Sequence, residues 1–249
     1  MNINKHIPNL ITLGNLSFGF AAIAQSFSGT FDSLCAASYF IFLAAFMDLM
    51  DGFVARMLNV TSDIGKQLDS LADVVSFGVA PGFILFQILN HNLTRATHFD
   101  EPIRYWVYLS VIIPVASAYR LAKFNTDSSQ SNHFRGMPTP AMAIVVACIP
   151  LQLMQDIHAP FSQLLLSSRF VTALIVMLAL LMVSNIPMFS FKPQNGGLSG
   201  NWHILTLLAS MVVLFVFMGF AAGILAVLFY PLLSFLYFRL QPPHPKTKE

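Results

Sequence analysis

Two long uncharged runs constrain this chain more than any other feature. Ser33 to Met47 is fifteen residues without a charged side chain, and a similar run follows Asp73 and ends near Leu89. Apolar runs on this scale form membrane-crossing helices, because a helix satisfies its own backbone N–H and C=O groups where there is no water. Of 249 residues, 56% are hydrophobic and only 10% charged, whereas a soluble domain carries about 25% charged residues. The fold class read from the sequence is therefore all-α, a polytopic transmembrane helical bundle. The net charge of +2 gives no argument for nucleic acid. Cys35 and Cys148 fall in apolar runs, where a thiol behaves as a small hydrophobe rather than half of a disulfide. Met1 to Pro8 reads as too short and polar for a cleavable signal.

Apolar length places eight membrane helices, near Asn9–Ser28, Ser33–Leu58, Asp69–Leu89, Pro102–Phe124, Pro138–Gln155, Arg169–Pro187, His203–Phe217 and Gly219–Arg239. The last two need a tight turn near Met218 and Gly219. With that count, ten cations lie on one side: Lys5, Arg56, Lys66, Arg120, Lys123, Arg135, Lys192, Arg239, Lys246 and Lys248. Arg95, Arg104 and Arg169 lie on the other. Ten against three puts both termini on the cytoplasmic side of the membrane. The tail after Arg239 is short and polar. His91, His98, His158 and His244 read as solvated histidines in loops or in that tail, and no pair of them has metal-ligand spacing. Asn92-Leu93-Thr94 spells a glycosylation triplet, a pattern that often arises by chance.

Between the two uncharged runs sit two pairs of aspartates. Asp48 and Asp51 are three apart, and Asp69 and Asp73 four apart, so each pair shares a helix face. Each pair also stands at the end of a membrane helix, and a short linker lets the two helices run antiparallel. Four carboxylates then meet in one place. A single carboxylate within a membrane helix costs about 2.5–3.5 kcal/mol, and the neighbourhood offers only Arg56 and Lys66 in compensation. Hard oxygen donors of this kind suit Mg²⁺, Mn²⁺ or Ca²⁺, and two dications match four carboxylates. Gly52 follows Asp51 directly, and Arg56 lies one turn on. A glycine in a helix costs about 1 kcal/mol against alanine, which makes sense where a ligand approaches the backbone; close helix packing explains it equally well. Arginine beside dications points to phosphate, which its planar fork binds through two oxygens. Metals and an arginine at a membrane surface imply phosphoryl-type chemistry on a lipid-linked substrate.

The full pattern, Asp48-x2-Asp51-Gly52-x2-Ala55-Arg56-x8-Gly65-x3-Asp69-x3-Asp73, resembles the signature of the CDP-alcohol phosphatidyltransferase family with every position filled. The resemblance implies a six-helix membrane core, usually dimeric, that displaces CMP from a CDP-linked donor with an alcohol. It spans residues 1–190, leaving 191–239 as two additional helices and 240–249 as a polar cytoplasmic tail. It implies Asp48, Asp51, Asp69 and Asp73 as metal ligands, for two Mg²⁺ or Mn²⁺ ions, with Asp73 also the general base on the acceptor hydroxyl. Gly52, Ala55, Arg56 and Gly65 would line the CDP site. Asn9 and Thr12, near the start of the first helix, are candidates to hydrogen-bond phosphate, although Asn9 serves equally well as a helix cap.

Three further stretches resemble the serine-using branch of that family, whose donor is CDP-diacylglycerol. They are Ile7 to Asn15, Ser70 to Pro81, and Ala118 to Asn125 with its continuation Phe134 to Pro140. Tyr119, Met137 and Thr139 depart from the commoner Leu, Leu and Ser. L-Serine carries a carboxylate, so its site needs a cation, and Arg120, Lys123 and Arg135 are the candidates. The same residues serve as positive-inside anchors in the alternative reading. Two rival functions stand beside this one. A sister enzyme would use glycerol 3-phosphate or inositol phosphate. A divalent-cation transporter would use the acids as an ion path, but it would carry them near the midplane on broken helices rather than at helix ends beside an arginine.

Overall fold

The computed structural model describes residues 6–60, 62–95, 101–126, 134–188, 219–225, 229 and 234. Helix α1 spans Ile7–Ser26 and α2 spans Phe31–Met57. Helix α3, Asp63–Val74, runs through one π-helical turn at Val75–Val79 into α4, Ala80–Arg95. A 3₁₀ segment, Glu101–Val111, leads into α5, Ile112–Thr126. Then come α6 (Thr139–Gln155), the short α7 (Pro160–Leu165) and α8 (Ser168–Val183). The protein is an integral membrane protein: four helical stretches of 20, 27, 32 and 22 residues are long and apolar enough to cross a bilayer. The predicted helix His203–Phe217 and the tail lie outside the described residues. The predicted turn at Gly219 is present, left-handed at φ 57°, and a helical stretch follows it to 225.

Length explains where the polar ends fall. The 27 residues of α2 extend about 40 Å and the 32 residues of Asp63–Thr94 about 48 Å, while the hydrocarbon core is about 30 Å thick. Both helices therefore project from it at one end or both. Alpha helix α3 starts six residues earlier than apolar length predicts, because its first turns are helical yet polar. Asn59, left-handed at φ 50°, ends α2 and lets the Val60 N–H donate to the Ala55 carbonyl at 3.0 Å. The Ser62 hydroxyl then caps α3 by accepting from the Gly65 N–H at 2.9 Å. At the other end Tyr105, Trp106 and Tyr108 are exposed as interfacial aromatics.

Helix α6 is apolar on every side and forms the buried centre: Met142, Ala143, Val145, Val146, Ala147 and Ile149 have no exposed surface. The stretch 219–225 docks on it through polar groups. Gln152 Oε1 accepts from the Ala221 N–H at 2.7 Å, and Gln152 Nε2 donates to Ser162 Oγ at 3.3 Å. These bonds satisfy a buried amide and helix-start donors that hydrocarbon would leave unmet. Near the other end of α8, Phe134–Arg135 pairs antiparallel with Pro187–Met188, and the Met137 N–H donates to the Leu181 carbonyl at 3.0 Å. Gly136 makes this clamp possible, with φ 75° and a Cβ position only 2.5 Å from the Met182 carbonyl. Gly136→Ala is expected to cost about 2 kcal/mol and to lower the melting temperature of the detergent-solubilised protein by about 5 °C.

One histidine reading changes. His91 is not in a loop; α4 continues past Leu89, and the His91 ring packs edge-on against Phe31 with centroids 4.7 Å apart. Asn92 is buried with its amide donating to the Leu165 carbonyl at 3.1 Å, a poor glycosylation acceptor.

Candidate active site

The end of α2, the start of α3 and the start of α1 converge on one cavity of about 640 Å³. Asn9, Thr12, Asp51, Gly52, Ala55, Gly65 and Asp69 all line it. Pro8, Val60, Ser62, Asp63 and Lys66 complete the wall. One carboxylate oxygen from each of Asp48, Asp51 and Asp69 lies within 4.8 Å of the others. Asp73, one turn beyond Asp69 on α3, brings a fourth carboxylate close to Asp48. Asp51 and Asp73 are buried, at 6% and 8% exposure, while Asp48 and Asp69 are half-buried. Of the four signature acids, Asp51 and Asp69 line the cavity, and Asp48 and Asp73 lie beside them outside its lining. Such a set of closely spaced, anionic, hard oxygen donors fits a divalent cation.

Space at position 65 is tight: a Cβ there would sit 2.8 Å from Ser62 Oγ and 2.9 Å from Asn9 Oδ1, so one of those side chains would have to shift. Asn9 therefore faces α3 across the cavity rather than capping α1, whose N-cap is His6. Gly52 is more open, with Arg56 Nη1 3.5 Å from the Cβ position as its nearest contact. Arg56 itself is exposed beyond Gly52 and is not part of the cavity wall.

Helix α1 supplies a polar stripe in an otherwise apolar sequence. Thr12 Oγ1 donates to Asp51 Oδ2 at 2.6 Å and lies 3.0 Å from the Pro8 carbonyl. Asn15 Nδ2 donates to Asp73 Oδ1 at 3.3 Å. Ser76 Oγ donates to the Asn15 carbonyl at 3.0 Å. Gly19 lets the helices meet there, since a Cβ would lie 2.8 Å from Ser76 Cα. Asn15, Ser62 and Lys66 are site residues that the signature spacing does not single out. The helical spacing of Thr12, Asn15 and Gly19 is the signal that reveals the first of them.

The π turn begins two residues beyond Asp73. Pro81 has no N–H to offer the Phe77 carbonyl, and the chain before it widens so that the Ala80 N–H bonds to the Val75 carbonyl. Single π turns of this kind often stand beside functional residues. Helix α5 packs antiparallel on this region: Asn125 Nδ2 donates to Ser70 Oγ at 2.7 Å, and Ser117 Cβ lies 3.0 Å from the Gly78 Cβ position. Five residues back from Asn125, about 7.5 Å along the helix, Arg120 falls at the level of Val75, two residues beyond Asp73. Arg120 is buried, at 9% exposure. Lys123 Nζ donates to Asn185 Oδ1 at 2.9 Å, which ties it to the end of α8. Arg135 lies in the clamped strand, and its side chain is outside the described residues.

The profile of the CDP-alcohol phosphatidyltransferase family matches residues 5–230. A CDP-diacylglycerol–serine O-phosphatidyltransferase from Helicobacter pylori strain 26695 is 33% identical over 220 residues, covering 85% of this chain and 86% of that one. One of the same name from Saccharomyces cerevisiae is 38% identical over 175 residues, covering 64% and 59%. An archaetidylserine synthase from Methanothermobacter thermautotrophicus is 30% identical over 172 residues, covering 68% of each chain.

Proposed function

The chain belongs to the CDP-alcohol phosphatidyltransferase family, and from that premise we propose that it transfers the phosphatidyl group of CDP-diacylglycerol to the hydroxyl of L-serine, releasing CMP. The observation that carries this reading is the cluster of Asp48, Asp51 and Asp69, two of which, Asp51 and Asp69, line a cavity together with Gly52, Ala55 and Gly65. The small side chains leave room for a nucleotide beside the acids. The names of the similar proteins support serine as the acceptor.

Asp48, Asp51 and Asp69 hold the divalent cation, and Asp73, at their inner edge, completes the set for two Mg²⁺ or Mn²⁺ ions. When bound, the cations neutralise the diphosphate and favour CMP as the leaving group. Lys66 in the cavity wall and Arg56 beyond Gly52 are the cations for the phosphates, and Asn9 and Thr12 orient them from α1. Asp73 orients the serine hydroxyl and takes its proton as the hydroxyl oxygen bonds to the phosphatidyl phosphorus. The bond from that phosphorus to the bridging oxygen breaks, and the oxygen leaves with CMP. Attack is direct, since no activated nucleophile of the protein stands beside the acids.

Arg120 receives the serine carboxylate, and Arg135 is a second candidate cation for it; the ammonium of Lys123 is already engaged by Asn185. Arg120→Ala is expected to raise KM for serine by about 10–100-fold, the value of a charge-assisted hydrogen bond. KM for CDP-diacylglycerol should stay within about twofold. An unchanged serine KM would take the acceptor site away from Arg120. The excess of cations on one side supports a site and both termini facing the cytoplasm. The chain works as a homodimer, its core at 1–190 and two further helices at 191–239. The direct test of the function is an acceptor panel with CDP-diacylglycerol: CMP release with serine supports it, and release with glycerol 3-phosphate but not serine contradicts it.

A further inference from the structure

Asn15 is the most completely buried amide near the site, with no exposed surface, on a helix that otherwise packs apolar and small side chains. A buried amide in hydrocarbon is costly unless bonded, so alanine or leucine would suit a purely packing position better. Its Nδ2 donates to Asp73 Oδ1 at 3.3 Å. Its own backbone is fixed in turn, because Ser76 Oγ donates to the Asn15 carbonyl at 3.0 Å. Gly19, one turn on, allows that close approach. The serine that holds Asn15 is thus three residues beyond the aspartate that Asn15 holds. One bond thus joins the Asn15 amide to Asp73 and a second ties the Asn15 backbone to the same stretch of chain, where α3 widens into the π turn, while Asn15 Oδ1 takes no partner among the described residues.

We propose that Asn15 is a positioning residue for phosphatidyl transfer: it fixes one oxygen of Asp73 so that the other is held toward the acceptor hydroxyl. The inference rests on the functional reading above, since it assigns Asp73 as the group that orients that hydroxyl. A carboxylate on a single-bonded side chain can otherwise rotate, and a misplacement of about 1 Å at a reacting centre can cost about 10²-fold. Thr12 does the equivalent for Asp51 one turn earlier. Asn15 differs in acting on the acid that meets the acceptor.

The test uses the full-length protein in mixed detergent–lipid micelles, with serine-dependent CMP release, binding of CDP-diacylglycerol and thermal melting measured on the same preparations. Asn15→Ala is expected to lower kcat by about 10–100-fold, as loss of an outer orienting partner does. KM for serine and for CDP-diacylglycerol should stay within about twofold, and the melting temperature should hold. Asn15→Leu, closer in size to asparagine, gives the same reading should the alanine variant fail to fold. An active parent whose variants keep kcat within about threefold overturns the inference and leaves the functional reading standing. So does a loss of kcat that tracks an equal loss of donor affinity or of melting temperature, which marks a structural role. A parent that releases no CMP with serine overturns the functional reading and this inference together.

Discussion

Asp73→Asn is expected to abolish turnover, by about 10²–10⁴-fold, while binding of CDP-diacylglycerol stays largely intact. The asparagine keeps the size of the side chain and can still accept hydrogen bonds through its carbonyl. It can no longer take the proton of the acceptor hydroxyl. The structure separates this acid from the donor cavity: Asp51 and Asp69 line that cavity and Asp73 does not. Donor binding and turnover should therefore part company at this residue. Single-turnover CMP release alongside equilibrium binding of CDP-diacylglycerol makes the measurement. Near-normal turnover in this variant would remove Asp73 as the base.

The second large effect is expected at Asp48 and Asp51, and it has a different signature. Either Asp48→Asn or Asp51→Asn removes an anionic donor from the three carboxylates that close to within 4.8 Å. Donor affinity and metal dependence should fall together, because the cations that these carboxylates would hold would also neutralise the donor's phosphates. About 10–100-fold more Mg²⁺ or Mn²⁺ should be needed for half-maximal activity, at least what loss of an outer-shell partner costs a metal site. Asp51→Asn should be the more disruptive of the two for α1, since its Oδ2 accepts from Thr12 Oγ1 at 2.6 Å. A variant that loses turnover at an unchanged metal requirement would argue against these residues as ligands. Titration of activity with each metal at saturating donor decides.

The site's main parts were legible because they are written in spacing. Acids three and four apart must share a helix face, and the glycines fall where the cavity needs backbone. The membrane helices were legible through apolar length, yet that criterion measures what lies in hydrocarbon and not where a helix begins. Asp63 to Leu68 is too polar to register, and only the left-handed Asn59 and the Ser62 cap show that α3 starts there. The six residues of α7 fall below any length threshold. The π turn depends on Pro81 and on how α1 and α5 press against it, and neither neighbour is adjacent in sequence. Asn15 is the instructive case. In sequence it is one polar residue in an apolar run, and its meaning appears only when the fold brings Asp73, fifty-eight residues later, against it.

The cation-transporter reading loses ground on the same geometry. The acids gather towards one end of α2 and the start of α3, and among the described residues Asp51 and Asp69 open onto a cavity sized for a nucleotide. The most direct measurement is CMP release by the purified protein from CDP-diacylglycerol, with and without serine and with and without Mg²⁺ or Mn²⁺. The account predicts release that requires both serine and a divalent metal, with phosphatidylserine formed in equal amount. Absence of CMP release under all of these conditions, with divalent-cation flux into vesicles carrying the protein, would contradict it.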